Sequence, residues 1–313
     1  MATKLGFRPA RAAVTLAAAL WLAATGVHEA RAAFDPLEVD PRARAMGGAI
    51  TAVEGGSLAL FHNPASLGLT EFGSVGVSTV QPQGLDFVRL TAIGASAKLP
   101  GGLGGVGVGF RRLATDFEDI SLESQTQFSL AHGFRLYHDI STTVSVGYGL
   151  NVYNLKYGAS AKSDPGSAST VGLDVGVRVT LRDRAAFGFR VQNLNNPTIG
   201  EVDVEDLPRR ITGGVAYSPY AGVITSLDMD SQLGQKTRFR AGTEFAVTQY
   251  GFLRFGVNTD PNTFCAGLGL NVKGVRVDYG FSTGPGPLKD THQLGISVTP
   301  ALLGKGDTAG AEE

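Results

Sequence analysis

From Gly73 to Pro300 one pattern repeats: roughly ten residues of alternating apolar and polar character, then a turn rich in Gly, Pro, Asn or Asp. An alternation of period two puts successive side chains on opposite faces, the geometry of a β-strand. In the clearest segment, Ser169 to Leu181, Val171, Leu173, Val175, Val177, Val179 and Leu181 share one face, and Gly172, Asp174, Gly176, Arg178 and Thr180 the other. The same split sets Phe187, Phe189 and Val191 against Arg190 and Gln192. It sets Phe239, Ala241, Phe245 and Val247 against Arg238, Arg240 and Glu244. Leu253, Phe255 and Val257 oppose Arg254 and Asn258, and Val275, Val277, Tyr279 and Phe281 oppose Arg276 and Asp278.

A soluble sandwich can crowd its wet face with Lys and Glu. Here the polar face holds Gly, Ser, Thr and Asn, with arginines and carboxylates in near balance, which suits an enclosed bore whose charges neutralise one another. The apolar face then meets lipid, where a midplane Arg or Lys would cost about 2–4 kcal/mol, and that cost accounts for the confinement of arginine to one parity. Fourteen such segments can be counted. Mixed parity over Phe87 to Leu99 and dilution by glycine between Leu103 and Leu113 leave twelve or sixteen open. The sequence therefore predicts an all-β fold, a transmembrane antiparallel β-barrel of about 14 strands over residues 73–300.

An even-stranded barrel with both chain ends on one side alternates short turns there with longer loops on the other. Long connections are expected after strands three (Ala114 to Ser121), five (Gly158 to Ala168), seven (Asn195 to Asp206) and thirteen (Thr283 to Asp290). Brief turns are expected at Pro100-Gly101-Gly102, Arg182-Asp183-Arg184, Ser218-Pro219-Tyr220, Gln249-Tyr250-Gly251 and Lys273-Gly274. Asp260-Pro261-Asn262 is short for an outer loop, and residues 301–313 form a polar C-terminal tail.

Residues 1–32 have the layout of a secretory signal peptide: Lys4, Arg8 and Arg11, an apolar run from Ala12 to Val27, then Ala30-Arg31-Ala32 as a small-x-small cleavage site. The mature chain is expected to begin near Ala33. Beyond that point no stretch approaches the roughly 18 apolar residues of a spanning helix, although 43% of the chain is hydrophobic. Losing four bases (Lys4, Arg8, Arg11, Arg31) and one acid (Glu29) takes the formal charge from -1 to -4, which gives nucleic acid no partner surface. Cys265 is alone and cannot form an intramolecular disulfide, so an exported chain must draw stability from another source, such as a closed hydrogen-bonded sheet. The 43 glycines fit tight turns and crowded strands.

The segment 33–72 lacks strand alternation. It carries Arg42-Ala43-Arg44-Ala45-Met46-Gly47-Gly48-Ala49 and then Phe61-His62-Asn63-Pro64-Ala65. Set at the start of an exported, glycine-rich chain, these runs resemble the FadL superfamily of outer-membrane proteins. Gly172-Leu173-Asp174-Val175-Gly176-Val177 and Phe187-Gly188-Phe189-Arg190-Val191-Gln192-Asn193-Leu194 look closer to its short PorV/PorQ-like branch. The resemblance implies a fourteen-stranded barrel in the bacterial outer membrane whose N-terminal segment folds into the lumen as a hatch, with passage of hydrophobic compounds in the fatty-acid branch. It also implies surface or secretion scaffolding as the competing role. The chain departs from the fatty-acid porins in being far shorter, without room for the long outer loops that form their first lipid-binding groove. A hatch is physically sensible, because a barrel of this strand number leaves a bore wider than side chains alone fill. Asn-Pro makes a rigid turn, with proline fixing one dihedral and asparagine bonding its neighbours.

Met46, Gly47, Gly48, Asn63, Pro64 and Ala65 are thus the expected plug or gate residues. Asp174, Arg178, Arg190, Arg238, Arg240, Glu244, Arg254, Arg276 and Asp278 are expected to pin the plug by paired charges. The remaining motifs carry no chemistry. Gly102-x-Gly104-x-x-Gly107 matches a dinucleotide fingerprint by letter but sits in a strand segment with no helix after it. His62, His132, His138 and His292 form no ligand-spaced cluster with Cys265, and Gly-x-Ser-x-Gly is absent. Glu118-Asp119 and Asp228-x-Asp230 read as loop solvation and lumen charge balance. The expected partners are outer-membrane lipid, a hydrophobic or amphipathic small molecule, or a secretion or surface protein. No catalytic residue, cofactor, metal or nucleic acid is expected.

Overall fold

The computed structural model describes residues 33–35, 37–118, 120–158, 166–200, 204–232 and 235–303. The leader expected over residues 1–32 and most of the expected polar tail lie outside the described residues. In chain order the strands are β1 (Ser74–Val80), β2 (Val88–Lys98), β3 (Gly105–Phe117), β4 (Ile120–His138), β5 (Thr142–Tyr157), β6 (Ser167–Leu181), β7 (Ala185–Gln192), β8 (Thr198–Ile199) and β9 (Glu205–Asp206). They continue with β10 (Arg210–Tyr217), β11 (Val223–Gln232), β12 (Arg238–Ala246), β13 (Gly251–Asn258), β14 (Thr263–Val272), β15 (Val275–Ser282) and β16 (Thr291–Val298). Fourteen of them close a barrel in which sequence neighbours pair antiparallel and β1 meets β16, while β8 and β9 pair with each other inside the β7–β10 connection.

The register turns the alternation into two continuous surfaces. Val215 lies opposite Phe187 on one side and Leu227 on the other, all facing out. Phe189, Met229, Phe255, Val257, Leu294 and Ile296 are likewise about half exposed on the outer wall. The inward partners on the same strands, Asp174, Arg178, Arg190 and Arg254, are buried. An uncharged apolar girdle around a polar interior is the inverse of a soluble fold and matches a wall bathed in hydrocarbon. No helix among the described residues is long and apolar enough to cross a membrane, so any crossing is made by strands.

Two regions of blurred alternation have one cause. On β2 the inward residues Leu90 and Ala92 pack on Val39 and Leu58 of the N-terminal segment, so that stretch of wall is apolar on both faces. On β3 the inward positions are Gly105, Gly107 and Gly109, which lie against Leu67, Leu60 and Phe61 of the same segment.

Of Ala114 to Ser121, expected as a long loop, Ala114 to Phe117 and Ile120 to Ser121 are instead strand. β3 and β4 stay paired through Thr115, Asp116 and Phe117, opposite Glu123, Ser121 and Ile120, and reverse at Glu118 with φ +47°. The ladder outruns the hydrophobic alternation here because a hairpin standing clear of the girdle needs no greasy outer face. The other three long connections, and the short turns between even strands and their successors, fall where expected. Val247 lies just past β12. The barrel is lopsided: β3 to β6 run 13, 19, 16 and 15 residues, whereas the barrel strands from β7 onward run 8 to 10.

Replacing Leu227, at the middle of the outer face of β11, by Arg should lower unfolding free energy in phospholipid vesicles by about 2–4 kcal/mol. The same change at Asp183, in a turn, should leave it unaltered within about 0.5 kcal/mol. Urea titration followed by heat-modifiable gel mobility checks both.

Candidate functional site

Residues 33–72 wind through the bore. The path starts among the longer connections, where Phe34 packs edge-on against Tyr153 (4.9 Å between ring centroids) beside Leu155, Ile199 and Leu207. A short helix, Pro41–Ala45, follows. Asp40 caps it by accepting the Arg42 N–H at 2.9 Å, and Pro41 occupies the first turn, where a missing donor is harmless. The expected gate residues Met46, Gly47 and Gly48 end this helix. Gly48 N–H donates to Ala43 O at 2.8 Å, and Gly47 and Gly48 take φ +65° and +82°, a turn that side chains would strain. Met46 is wholly buried with Ile50, Ala52, Val53, Ala186 and Ala216.

Asn63, Pro64 and Ala65 lie buried against the inner wall at β4, β5 and β6. The buried Asn63 starts a 3-10 turn over Pro64–Leu69, its Oδ1 accepting from Ala65 N–H at 3.1 Å. Its amide donates to Thr51 O at 2.9 Å and Val177 O at 3.3 Å, so one side chain joins two stretches of plug to the wall of β6.

The fit between plug and wall depends on glycine. On twelve of the fourteen barrel strands an inward glycine lies so close to the plug that a Cβ would overlap it. Gly242 and Gly256 face Met46 and Gly47, Gly280 faces Pro41, Gly76 and Gly94 face Ser57, Gly133 and Gly147 face Pro64, and Gly188 faces Thr51. The register aligns these into a ring: Gly76 opposite Gly94, Gly133 opposite Gly147, Gly147 opposite Gly176, Gly188 opposite Gly214, and Gly242 opposite Gly256. The arc left at β10 and β11 is bridged by polar bonds. Asp228 accepts from Ile50 N–H and Thr51 N–H at 3.0 and 2.9 Å, and the Ser226 hydroxyl donates to Ala49 O at 2.6 Å.

Charges complete the socket. Arg42 of the plug makes a two-pronged bond to Glu244 (2.9 and 2.7 Å), which also accepts from Arg254 at 2.5 Å. Arg254 continues to Asp278 at 2.8 Å, and Asp278 to Arg276 at 2.8 Å. Gly269 leaves the room in which Arg254 and Asp278 meet. Arg190 bonds Asp174 at 2.6 Å and donates to the plug carbonyls of Phe61 and His62, while Arg178 donates to Ala52 O at 2.9 Å. Arg240 bonds Asp230 and packs over Gly48.

Of the nine charges expected to pin the plug, Glu244, Arg178, Arg190 and Arg240 touch it, and Asp174, Arg254, Arg276 and Asp278 hold those side chains in place. Arg238 departs from the expectation. It sits a layer above, at the loop end of β12, and bonds Gln235 at 2.8 Å. In the sequence Arg42 stands out only within the Arg42-to-Ala49 run and Asp228 only as lumen charge balance, and Ser226 and the glycine ring carry no assigned role. Asp228 carried a signal in its inward parity, and on β3, β6, β7, β12, β13 and β15 the ring glycines share the parity of the inward arginines.

The plug divides the bore. On the side of the longer connections lies a polar cup of about 210 Å³, floored by Glu38, Gly48 and His62. On the side of the short turns lies a second cavity of about 470 Å³, lined by Glu54, Gly68, Thr70, Ser96 and Lys98. Glu38 sits 3.4 Å from His62 and accepts the Val39 N–H at 3.0 Å. Burial alone would raise its pKa, but His62, Arg240, Arg44 and a backbone N–H outweigh that, leaving it below the usual carboxylate value.

No protein-family model matches the chain, and no curated protein matches it. Solved structures do match by fold. The Ralstonia pickettii toluene transporter TbuX aligns over 85% of this chain and 98% of its own, with a TM-score of 0.58 at 14% identity. The Pseudomonas putida toluene transporter TodX aligns over 84% and 98%, with a TM-score of 0.58 at 13% identity. A Pseudomonas aeruginosa FadL homologue aligns over 83% and 98%, with a TM-score of 0.54 at 8% identity. The fold is therefore that of the FadL-like barrels.

Gly256→Val should drive the plug from its seat while the barrel persists. Limited proteolysis of detergent-solubilised protein should then cut within residues 33–72 at least tenfold faster, with heat-modifiable mobility retained. Glu244→Gln strands Arg42 and Arg254 in the bore and should destabilise plug docking by about 3–5 kcal/mol, read as the shift in denaturant needed for the same cleavage.

Proposed function

We propose that this chain is an outer-membrane channel for hydrophobic or amphipathic small molecules, gated by residues 33–72. The observation that carries the reading is the plug standing between two cavities inside a wall whose paired strands leave no seam among the described residues. Passage then requires the plug to yield. Its firm holds are the glycine ring and the Glu244 and Arg190 bonds. Its exposed stretch is Glu54-Gly55-Gly56, held at one end where Glu54 O accepts from Arg42 at 2.7 Å and the Glu54 carboxylate lies 3.5 Å from Arg178. The likeness to toluene transporters supports hydrophobic cargo, and the motifs around Gly172 and Phe187 resemble the short PorV/PorQ-like branch. No chemical step is assigned, since the bonded charges serve docking.

A second reading has one observation in its favour. The tall β3–β6 side presents Phe117, Ile120 and Leu122, each at least half exposed, beyond the girdle, a surface suited to a secretion or cell-surface protein.

In Gram-negative cells with an intact lipopolysaccharide leaflet, expression should raise entry of labelled toluene or decanoate several-fold over an empty vector. Gly256→Val, which keeps the plug in the chain but unseats it, should admit hydrophilic dyes as well. Uptake equal to the empty vector, together with a stoichiometric protein partner lost in Ile120→Asp, would favour the scaffold.

A further inference from the structure

The cup above the plug is unlike a site for hydrocarbon. Six guanidinium groups line its roughly 210 Å³: Arg44 on the plug, with Arg111, Arg190, Arg210, Arg238 and Arg240 on the wall. The one carboxylate among the lining residues is Glu38. Two more stand behind them, Asp174 bonding Arg190 and Asp230 bonding both Arg210 and Arg240. Three guanidiniums are left without a carboxylate bond. Arg44 donates to Gln293 Oε1 at 2.6 Å, Ser282 Oγ and Glu38 O, and Arg238 donates to Gln235.

Arg111 is the sharpest case. It is 8% exposed, stands between Ala92 and Gln127 in the sheet register, and has no hydrogen bond or ion pair among the described residues. The Nε atoms of Arg190 and Arg240 are also buried without a partner. A buried guanidinium whose nearest carboxylate, Asp35 for Arg111, acts on it only from beyond bonding distance is costly. Several guanidiniums converging on one small space supply forked donors that the protein's own groups only partly use.

We infer that this cup binds a compact, multiply charged anion of the phosphate or polycarboxylate kind. The space is worth about seven water molecules, enough for an inorganic oxyanion or a small di- or tricarboxylate, and its guanidinium lining is ill suited to an acyl chain. Gln127, Gln192, Thr212 and Thr291 add uncharged hydrogen-bonding groups around the arginines. The inference goes beyond hydrophobic passage and does not depend on it.

The test is calorimetric titration of the mature protein in detergent at low ionic strength, with inorganic phosphate and with citrate. At least one should bind saturably, and affinity should fall as sodium chloride is raised through about 0.1 M. Arg111→Gln should weaken that binding at least tenfold while the thermal unfolding temperature holds or rises. Arg89→Gln, on β2 away from the cup, should change neither. No saturable binding of either anion to folded wild-type protein, or equal affinity in Arg111→Gln, overturns the assignment. Toluene entry in cells is a separate readout: anion binding without hydrocarbon uptake sinks the channel proposal and leaves this one, and uptake without anion binding does the reverse.

Discussion

The structure depends on backbone meeting backbone. A bore wider than side chains alone fill is occupied here by a segment with little regular structure, whose peptide groups need partners and whose bulk must reach the wall. Glycine on the inner face lets Met46, Gly47, Thr51, Ser57 and Pro64 approach the strands closely. At β11, which has no glycine, and beside Gly214 of β10, Asp228 and Ser226 reach in to bond Ala49, Ile50 and Thr51. Steric room and hydrogen-bond supply are traded around the circumference, and both hold one conformation of the plug.

The ion pairs act inside that frame. Arg254, with no exposed surface, is held between Glu244 and Asp278, and Glu244 is held by Arg42 of the plug. Such a chain adds little stability over an apolar filling of the same volume, but removing any one member leaves its neighbours charged in a confined space. The network therefore favours a single seating of the plug more than it deepens the fold's energy.

Strand number, closure and the lipid-facing parity were legible because hydrocarbon forbids arginine outside, and the ban imprints itself on alternate residues. Val171 to Leu181 shows it without help. The imprint fades where another apolar surface replaces lipid or water: Leu90 and Ala92 look misplaced until Val39 and Leu58 are seen against them. It fades again where no membrane is present, so the hairpin through Thr115 and Glu123 read as loop. Glycine carries a second signal beyond turn chemistry and crowding, since Gly133, Gly147 and Gly176 fall on the inward parity and align across three strands. Arg238 shows the limit of parity, which gives a face and not a height along the strand.

The plug runs into β1 through Thr70 and Gly73, and β1 makes the only barrel pairing that joins the two ends of the sheet, with β16. Every other barrel pair links neighbours in sequence and can form locally, whereas that last pairing waits for the whole chain. A segment touching almost every stave cannot easily be inserted afterwards through a mouth narrowed by connections. The insert is thus a former around which the cylinder is assembled, and the order of assembly is set by which end of the chain carries it.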